Sequence, residues 1–281
     1  MTTPLVLTLT CPDGPGIVHA VTGVIAHLGG NITESKQFGD PGTGLFHLRL
    51  QVDSPASRTD LEAAFAPVAQ RFSMDWQLDE VGRPTRTLVL VSKAAHCLND
   101  LLFRQRSGLL PIEVPAIVGN HEDLRPLADF YGVPFHHVPV TPQTKPDAEA
   151  RLLELVEDLD VELVVLARYM QVLSDDLCRR LEGRVINIHH SFLPSFKGAR
   201  PYHQAHERGV KLIGATAHYV TADLDEGPII EQDVERVDHT MTVAELVAIG
   251  QDVEAQVLSR AVRWHAEHRV LLDGHRTVVF R

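Results

Sequence analysis

The chain has 281 residues, of which 44% are hydrophobic and 22% are charged, a composition typical of a globular protein with one or two domains. The formal net charge of −11 at pH 7 argues against a general nucleic-acid-binding protein, because such proteins usually carry a basic surplus or a basic stripe. The three cysteines, Cys11, Cys97 and Cys178, form no CxxC pair. Neither a disulfide framework nor a cysteine zinc site is therefore predicted.

The beginning of the chain shows no basic segment ahead of an apolar stretch, as a secretory signal would. No apolar run approaches the roughly 18 residues that a membrane-spanning helix needs. We therefore expect a cytoplasmic protein that has no membrane partner.

Residues 4–82 show the periodicity of a strand, a helix, two strands, a helix and a last strand. Residues 5–10 alternate between apolar and polar side chains, and an apolar helix pattern follows over residues 17–28. The glycine-rich stretch 39–44 is a predicted hairpin turn and not a phosphate loop, because no Gly-Lys-Ser/Thr follows it. The order β-α-β-β-α-β predicts a ferredoxin-like domain.

This first domain resembles the ACT domain family. The matching residues are Asp13-Gly14-Pro15-Gly16-Ile17-Val18 at the first strand–helix turn and Gly29-Gly30-Asn31-Ile32 before the second strand. The resemblance implies a sensor for a small ligand, often an amino acid, with Asp13, Gly16 and Asn31 as ligand-binding residues. Free N–H groups at a glycine-rich helix N-terminus suit a carboxylate. The alternative is a module that only forms an oligomer interface, and in either case we expect a homo-oligomer, a dimer or a tetramer.

Residues 81–86 are polar and broken by glycine and proline, which predicts a domain boundary there. From residue 86 to residue 281, solidly apolar strands alternate with helical segments. This pattern predicts a Rossmann-like α/β domain with a mostly parallel sheet. One long helix is predicted over residues 242–268, with a capping box between Thr242 and Glu245 at its start.

One predicted strand of this sheet, which begins as an apolar run at Val185, ends in polar side chains. Asn187 and His189 point to the same side at the two-residue period of a strand. Ligands of open α/β sheets bind outside the carboxyl ends of strands, so both are candidate active-site residues. Pro194 and Gly198 end the regular structure beyond them. The alternative is a hydrogen-bonded core histidine beside a turn-forming asparagine.

Asp225, in a Gly-Pro turn between two later strands, adds a carboxylate to this amide and imidazole. Such a set suits acyl-group chemistry through a tetrahedral oxyanion, which Asn187 and a protonated His189 would stabilise by donating hydrogen bonds. Asp225 would hold His189 charged and position a water or pass its proton. No G-x-S-x-G nucleophile motif is present, which favours direct attack. No HExxH or His/Cys ligand set is present either, so we expect no metal and no cofactor.

Residues 86–281 resemble the folate-dependent formyltransferase family. The resemblance rests on Asn187-Ile188-His189, Ser191-x-Leu193-Pro194 and Leu224-Asp225-x-Gly227-Pro228. It implies that Asn187, His189 and Asp225 are catalytic. It also implies that Met170, Gln171 and Leu173 form the loop that binds the pterin of a folate substrate, largely through backbone atoms.

The acceptor of the formyl group is the remaining question. Glycinamide ribonucleotide transformylases carry a Gly/Ser-rich phosphate loop after the first strand, and the corresponding stretch here begins Ser92-Lys93 and has no glycine. Backbone N–H groups do not easily surround a phosphate there, although Lys93 retains some attraction for an anion. Methionyl-tRNA formyltransferases add a carboxy-terminal RNA-binding domain; the acidity of the chain and the short segment after its long helix argue against a tRNA acceptor.

The chain resembles the formyltetrahydrofolate deformylase family along its whole length. The motifs shared with that family are Ser92-Lys93-x-x-His96-Cys97-Leu98, Gly119-Asn120-His121, Pro134-Phe135-His136-His137-Val138-Pro139 and His189-His190-Ser191. The resemblance implies hydrolysis of 10-formyltetrahydrofolate to tetrahydrofolate and formate, with the formate supplied to purine synthesis.

His137 and His190 are expected to line the pocket and to order the attacking water; the alternative is that both are structural. Two other functions are kept as hypotheses. One is a transformylase with an amine acceptor such as glycinamide ribonucleotide. The other is a regulatory protein that binds a folate or an amino acid on an inactive enzyme fold.

Overall fold

The computed structural model describes residues 4–191 and 201–281, which form two compact units. Unit 1 contains the described residues up to Arg83 together with residues 267–281, and unit 2 spans residues 84–266. This division differs from the predicted second domain of residues 86–281, because the last part of the chain groups with unit 1.

Unit 1 has the predicted ferredoxin-like arrangement. Its elements up to residue 83 are β1 (Leu5–Pro12), α1 (Ile17–His27), β2 (Asn31–Asp40), β3 (Leu45–Asp53), α2 (Arg58–Arg71) and β4 (Asp75–Glu80). The antiparallel sheet has the order β2-β3-β1-β4. Apolar side chains of both helices, such as Ile17 and Phe65, form one core with β1 and β3, because every second strand residue faces them.

The opposite face of this sheet explains why residues 267–281 belong to unit 1. His47 and Arg49 of β3 alternate with its core residues and are buried. Arg49 donates to the carbonyl oxygen of Glu267, at 3.1 Å from Nη2. Beyond this contact the chain forms a hairpin of β13 (Val270–Asp273) and β14 (Arg276–Val279), and Arg276 pairs with Asp40 of β2.

Unit 2 alternates strands and helices, as predicted. Its elements are β5 (Thr85–Val91), α3 (His96–Arg106), β6 (Ile112–Glu113), β7 (Ile117–Gly119), α4 (Arg125–Tyr131), β8 (Phe135–His137), α5 (Lys145–Asp158), β9 (Leu163–Leu166), α6 (Asp175–Arg180), β10 (Val185–His189), α7 (Pro201–Glu207), β11 (Leu212–Tyr219), β12 (Ile229–Arg236) and α8 (Val243–Ala266).

The main sheet of unit 2 has the order β12-β11-β10-β9-β5-β7-β8. Strands β10, β9, β5, β7 and β8 are parallel, and β11 and β12 extend the sheet as antiparallel strands. The mostly parallel sheet is therefore confirmed. Within the described ranges, no helix is long and apolar enough to cross a membrane.

Candidate active site

The candidate site lies where loops leave the carboxyl ends of β9 and β10. From β5, the strands β7 and β8 are added on one side of the sheet, whereas β9 and β10 are added on the other side. The direction in which strands are added therefore reverses between β5 and β9. Such a switch point leaves a crevice in which ligands bind. A cavity of about 250 Å³ opens beside it, bounded by the loop after β9, the end of β10 and the loop after β11.

The amide of Asn187 lines this cavity and is oriented by a histidine of the next strand. Asn187 lies opposite His218 in the β10–β11 register, and its Nδ2 is 3.3 Å from His218 Nε2. The Nδ1 of His218 lies 2.9 Å from the carbonyl oxygen of Tyr219, which only accepts hydrogen bonds. The ring proton is therefore on Nδ1, and Nε2 accepts from Asn187. Burial lowers the pKa of His218 and favours this neutral ring.

His189 pairs with a carboxylate in the wall of the same cavity. Its Nδ1 is 3.2 Å from Asp225 Oδ1, and the hydrogen bond from His189 lowers the pKa of the Asp225 carboxyl, although partial burial acts in the opposite direction. The Nε2 of His189 is buried and has no hydrogen-bond partner in the described part of the chain. The predicted trio of Asn187, His189 and Asp225 therefore shares one cavity wall.

The turn between β11 and β12 holds Asp225 in an unusual backbone conformation. Asp225 has φ 59°, in the left-handed region that residues with a Cβ atom seldom adopt and that is often found at functional sites. The turn packs tightly against β11, because the Tyr219 N–H donates to the Pro228 carbonyl oxygen at 2.9 Å. A Cβ atom at Gly227 would overlap the carbonyl oxygen of Tyr219.

We therefore expect Gly227→Ala to lower the free energy of unfolding by roughly 1–3 kcal/mol, as overpacking of a tight site does. The shift of the thermal unfolding midpoint measures this effect. Gly23→Ala is the control, because its Cβ atom would meet no atom within 4 Å in helix α1, and alanine is the better helix former. A Gly227→Ala protein that melts at the wild-type temperature would contradict the packing described for this turn.

The loop predicted to bind a pterin lines the cavity as well. Met170, Gln171 and Leu173 all belong to its wall. The Met170 N–H donates to Ser92 Oγ at 2.9 Å, so the loops that follow β5 and β9 are joined on the two sides of the switch point. Met170 is 60% exposed whereas Leu173 is buried, so Met170 presents an apolar side chain to solvent at the cavity wall.

Three functional candidates were not predicted from the sequence: His218, Arg168 and Glu254. Arg168 lies between Glu254, with its Nε 3.3 Å from Oε2, and His190, with its Nη1 2.8 Å from Nδ1. Glu254 is 1% exposed on α8. Its helical position falls among the core-facing residues of α8, such as Val257. A charged residue in this apolar stripe is visible in the sequence and could have marked Glu254 as a functional candidate.

In the described part of the chain, one group of possible metal-ligand atoms lies near this carboxylate, within 4.8 Å of one another. The atoms belong to His96, Cys97 and Glu254. The set does not fit a cation well. Arg168 already brings a positive charge to Glu254, and burial raises the pKa of the Cys97 thiol, whereas a metal binds the thiolate.

Of the two predicted pocket histidines, only His190 lines the cavity. His137 is absent from its described lining, and its Nδ1 lies 3.0 Å from Glu122 Oε1. This cavity therefore does not support a pocket-lining position for His137, and its role stays a prediction. His137 stands at the end of β8, the far edge of the sheet, while the cavity opens at β9 and β10.

The three predicted effector-binding residues do not meet within one chain. Gly16 has φ 90° and precedes α1, and Asp13 lies in the same turn. Asp13 follows the end of β1 that pairs with the start of β3. Asn31 begins β2 and pairs with Asp53 at the end of β3, which is the opposite end of the sheet. Strands of this length separate the two ends by roughly 25 Å. Leu193 and Pro194 of the Ser191 motif, and Gly198, lie outside the described residues.

Family models match both units. The formyl transferase model covers residues 85–262, and the ACT domain model covers residues 3–79. A formyltetrahydrofolate deformylase of Corynebacterium sp. (strain P-1) is 58% identical over 98% of both chains. The crystal structure of a formyltetrahydrofolate deformylase from Burkholderia mallei superposes with a TM-score of 0.96 at 51% identity, covering 99% of this chain and 100% of the other.

A glycinamide ribonucleotide transformylase from Symbiobacterium toebii is more distant. The superposition covers 71% of this chain and 96% of the transformylase chain, at 33% sequence identity and with a TM-score of 0.66. The deformylases match nearly the whole chain, including the ACT domain, and the transformylase does not. The chain therefore belongs to the formyltetrahydrofolate deformylase family, in which an ACT domain precedes a formyl transferase domain.

Proposed function

We propose that the protein hydrolyses 10-formyltetrahydrofolate to tetrahydrofolate and formate. The observation that carries the proposal is the shared cavity wall of Asn187, His189 and Asp225, with the His189 imidazole 3.2 Å from the Asp225 carboxylate. Family membership supports the same substrate, because the relatives of similar length are formyltetrahydrofolate deformylases.

In the proposed reaction, a water oxygen bonds to the formyl carbon and the carbonyl electrons move to the formyl oxygen. The Asn187 amide and a protonated His189 donate hydrogen bonds to this oxyanion through Nδ2 and Nε2. Asp225 orients the water and accepts a proton from it. The C–N10 bond then breaks, N10 takes up that proton, and formate leaves with release of the second proton of water.

The pterin of the substrate would lie along the loop that contains Met170, Gln171 and Leu173. The support is that all three residues border the cavity and that the Ser92 hydroxyl fixes the loop at Met170. Backbone groups of Gln171 and of its neighbours would contact the polar edge of the ring. No metal or further cofactor is part of the proposal.

The acceptor is water in this proposal, and the second candidate is an amine such as glycinamide ribonucleotide. Formate release from 10-formyltetrahydrofolate in the absence of any amine separates the two. We expect stoichiometric formate and tetrahydrofolate from the purified protein. A strict transferase, or an inactive folate-binding protein, would release none.

The ACT domain is proposed to bind a small amino acid, with glycine and methionine as candidates for the control of one-carbon balance. Asp13 and Gly16 would contribute from one chain, and Asn31 would have to come from a second copy, which fits the expected homo-oligomer. An activity response to a panel of amino acids tests this proposal, and a flat response would remove it. Formate supply to purine synthesis and a cytoplasmic location stay predictions.

A further inference from the structure

His190 stands beside the proposed oxyanion site but has no role in the mechanism above. Its ring stacks on that of His189, with centroids 4.8 Å apart and planes inclined by 18°. It belongs to the same cavity wall, and its Nε2 is buried without a hydrogen-bond partner in residues 4–191 and 201–281. His190 therefore has one buried ring nitrogen that no described group uses.

The contact with Arg168 decides which hydrogen-bonding role that nitrogen has. Arg168 Nη1 lies 2.8 Å from His190 Nδ1, and a guanidinium group only donates. His190 Nδ1 is therefore the acceptor, and the proton of the neutral ring is on Nε2. Burial, and after it the charge of Arg168, lowers the pKa of His190 to about 4, so the ring stays neutral at physiological pH.

A buried carboxylate keeps Arg168 in place. Glu254 Oε2 lies 3.3 Å from Arg168 Nε and 2.8 Å from His96 Nε2, and Oε1 accepts from the Tyr202 hydroxyl at 2.7 Å. Arg168 also has φ 62°, a conformation that surrounding contacts must stabilise. Glu254 thus joins α3, α7 and α8 to the residue that fixes the tautomer of His190.

We propose that the Nε2–H of His190 selects water over amines as the acceptor of the formyl group, and that Arg168 and Glu254 are the positioning residues that hold this N–H group in place. The inference rests on the proposed hydrolysis. A water oxygen has two lone pairs, so it accepts a hydrogen bond from His190 with one and attacks the formyl carbon with the other. A proton of this water passes to Asp225 and then to N10, as before.

An amine does not fit the same position. Its nitrogen has a single lone pair, which the attack on the formyl carbon uses. Its N–H groups would then face the Nε2–H of His190, donor against donor. Such a mismatch disfavours the amine because it leaves a polar N–H group unpaired. An unpaired polar group discriminates between acceptors more strongly than the size of the cavity does.

The test measures how the formyl group partitions between water and glycinamide, a small primary amine, by following formate and formylglycinamide together. His190→Phe keeps a stacking ring and removes the N–H group. We expect its kcat for hydrolysis to fall about tenfold, the value of one ordinary hydrogen bond, and the product ratio to shift towards formylglycinamide by a similar factor, with the KM for 10-formyltetrahydrofolate little changed.

His190→Gln is the matched rescue variant, because its carbonyl oxygen can accept from Arg168 while its NH₂ group replaces Nε2–H. We expect His190→Gln to keep wild-type partitioning. Equal partitioning in His190→Phe and the wild type would overturn the inference. Absence of formate from the wild type would instead overturn the proposed hydrolysis, so the two failures are distinguishable.

Nitrogen-15 NMR of the histidine-labelled wild type tests the tautomer directly. The His190 signals are assigned as those missing from His190→Phe or, if that protein does not fold, from His190→Gln. We expect an unprotonated Nδ1 and a protonated Nε2 at neutral pH, and a mixture of tautomers in Glu254→Gln. A protonated Nδ1 in the wild type would contradict the proposal.

Discussion

Asp225→Asn is expected to lower kcat for formate release by at least about 10³-fold while 10-formyltetrahydrofolate still binds. Positioned acid–base groups contribute about 10²–10⁴-fold, and here the same carboxylate also holds His189 through the 3.2 Å contact with Nδ1. Asparagine has nearly the same shape but neither the charge nor the basicity. Steady-state formate release gives kcat, and the affinity for the folate is measured by calorimetry.

Asp176→Asn is the control for the loss of one carboxylate in the same unit. Asp176 is 60% exposed on α6, and its ion pairs with Arg179 and Arg180 lie on the surface, where such pairs contribute little. Its kcat should equal that of the wild type. Near-normal turnover in Asp225→Asn would remove Asp225 from the mechanism, and loss of folate binding would assign it to the binding of substrate.

Asn187→Ala is expected to lower kcat by about 10²–10³-fold, the effect of removing one preorganised donor to an oxyanion. The effect should fall on kcat and leave the affinity for the folate nearly unchanged, because the donor acts mainly on charge that develops in the transition state. The amide is preorganised by His218, which lies 3.3 Å from its Nδ2. Parallel measurements of kcat and of the dissociation constant separate these two effects.

Asn99→Ala on α3 is the control for the loss of an asparagine side chain. Asn99 is exposed and accepts a hydrogen bond from the Tyr131 hydroxyl at 3.3 Å, away from the cavity wall. Wild-type kcat is expected for this variant. If Asn187→Ala also retained wild-type kcat, the oxyanion would have to be stabilised by other groups.

The local pattern of the sequence was sufficient for most of the fold. Alternation, helical spacing and glycine-rich turns gave the ferredoxin-like unit and the parallel strands, because these signals report which residues face a core. The hairpin of β13 and β14 was missed, although Asp273-Gly274 between short apolar strands is a typical hairpin signal. Its membership in unit 1 depends on distant pairs such as Arg276 with Asp40, which no local pattern reveals.

In the candidate site, too, local sequence patterns could not predict the contacts between distant residues. Asn187 and His189 were predicted because a strand places residues two apart on one face. His218 faces Asn187 only through the pairing of β10 with β11, and Arg168 meets Glu254 only when α8 packs beside the sheet. The tautomers of His190 and His218 depend on these tertiary contacts, so the sequence alone could not assign them.

The most direct test of the proposed hydrolysis is a single turnover of 10-formyltetrahydrofolate in ¹⁸O-labelled water with no amine present. We expect one tetrahydrofolate for each formate, and one solvent-derived oxygen atom in that formate. Retention of the formyl group on the folate until an amine is added would contradict it.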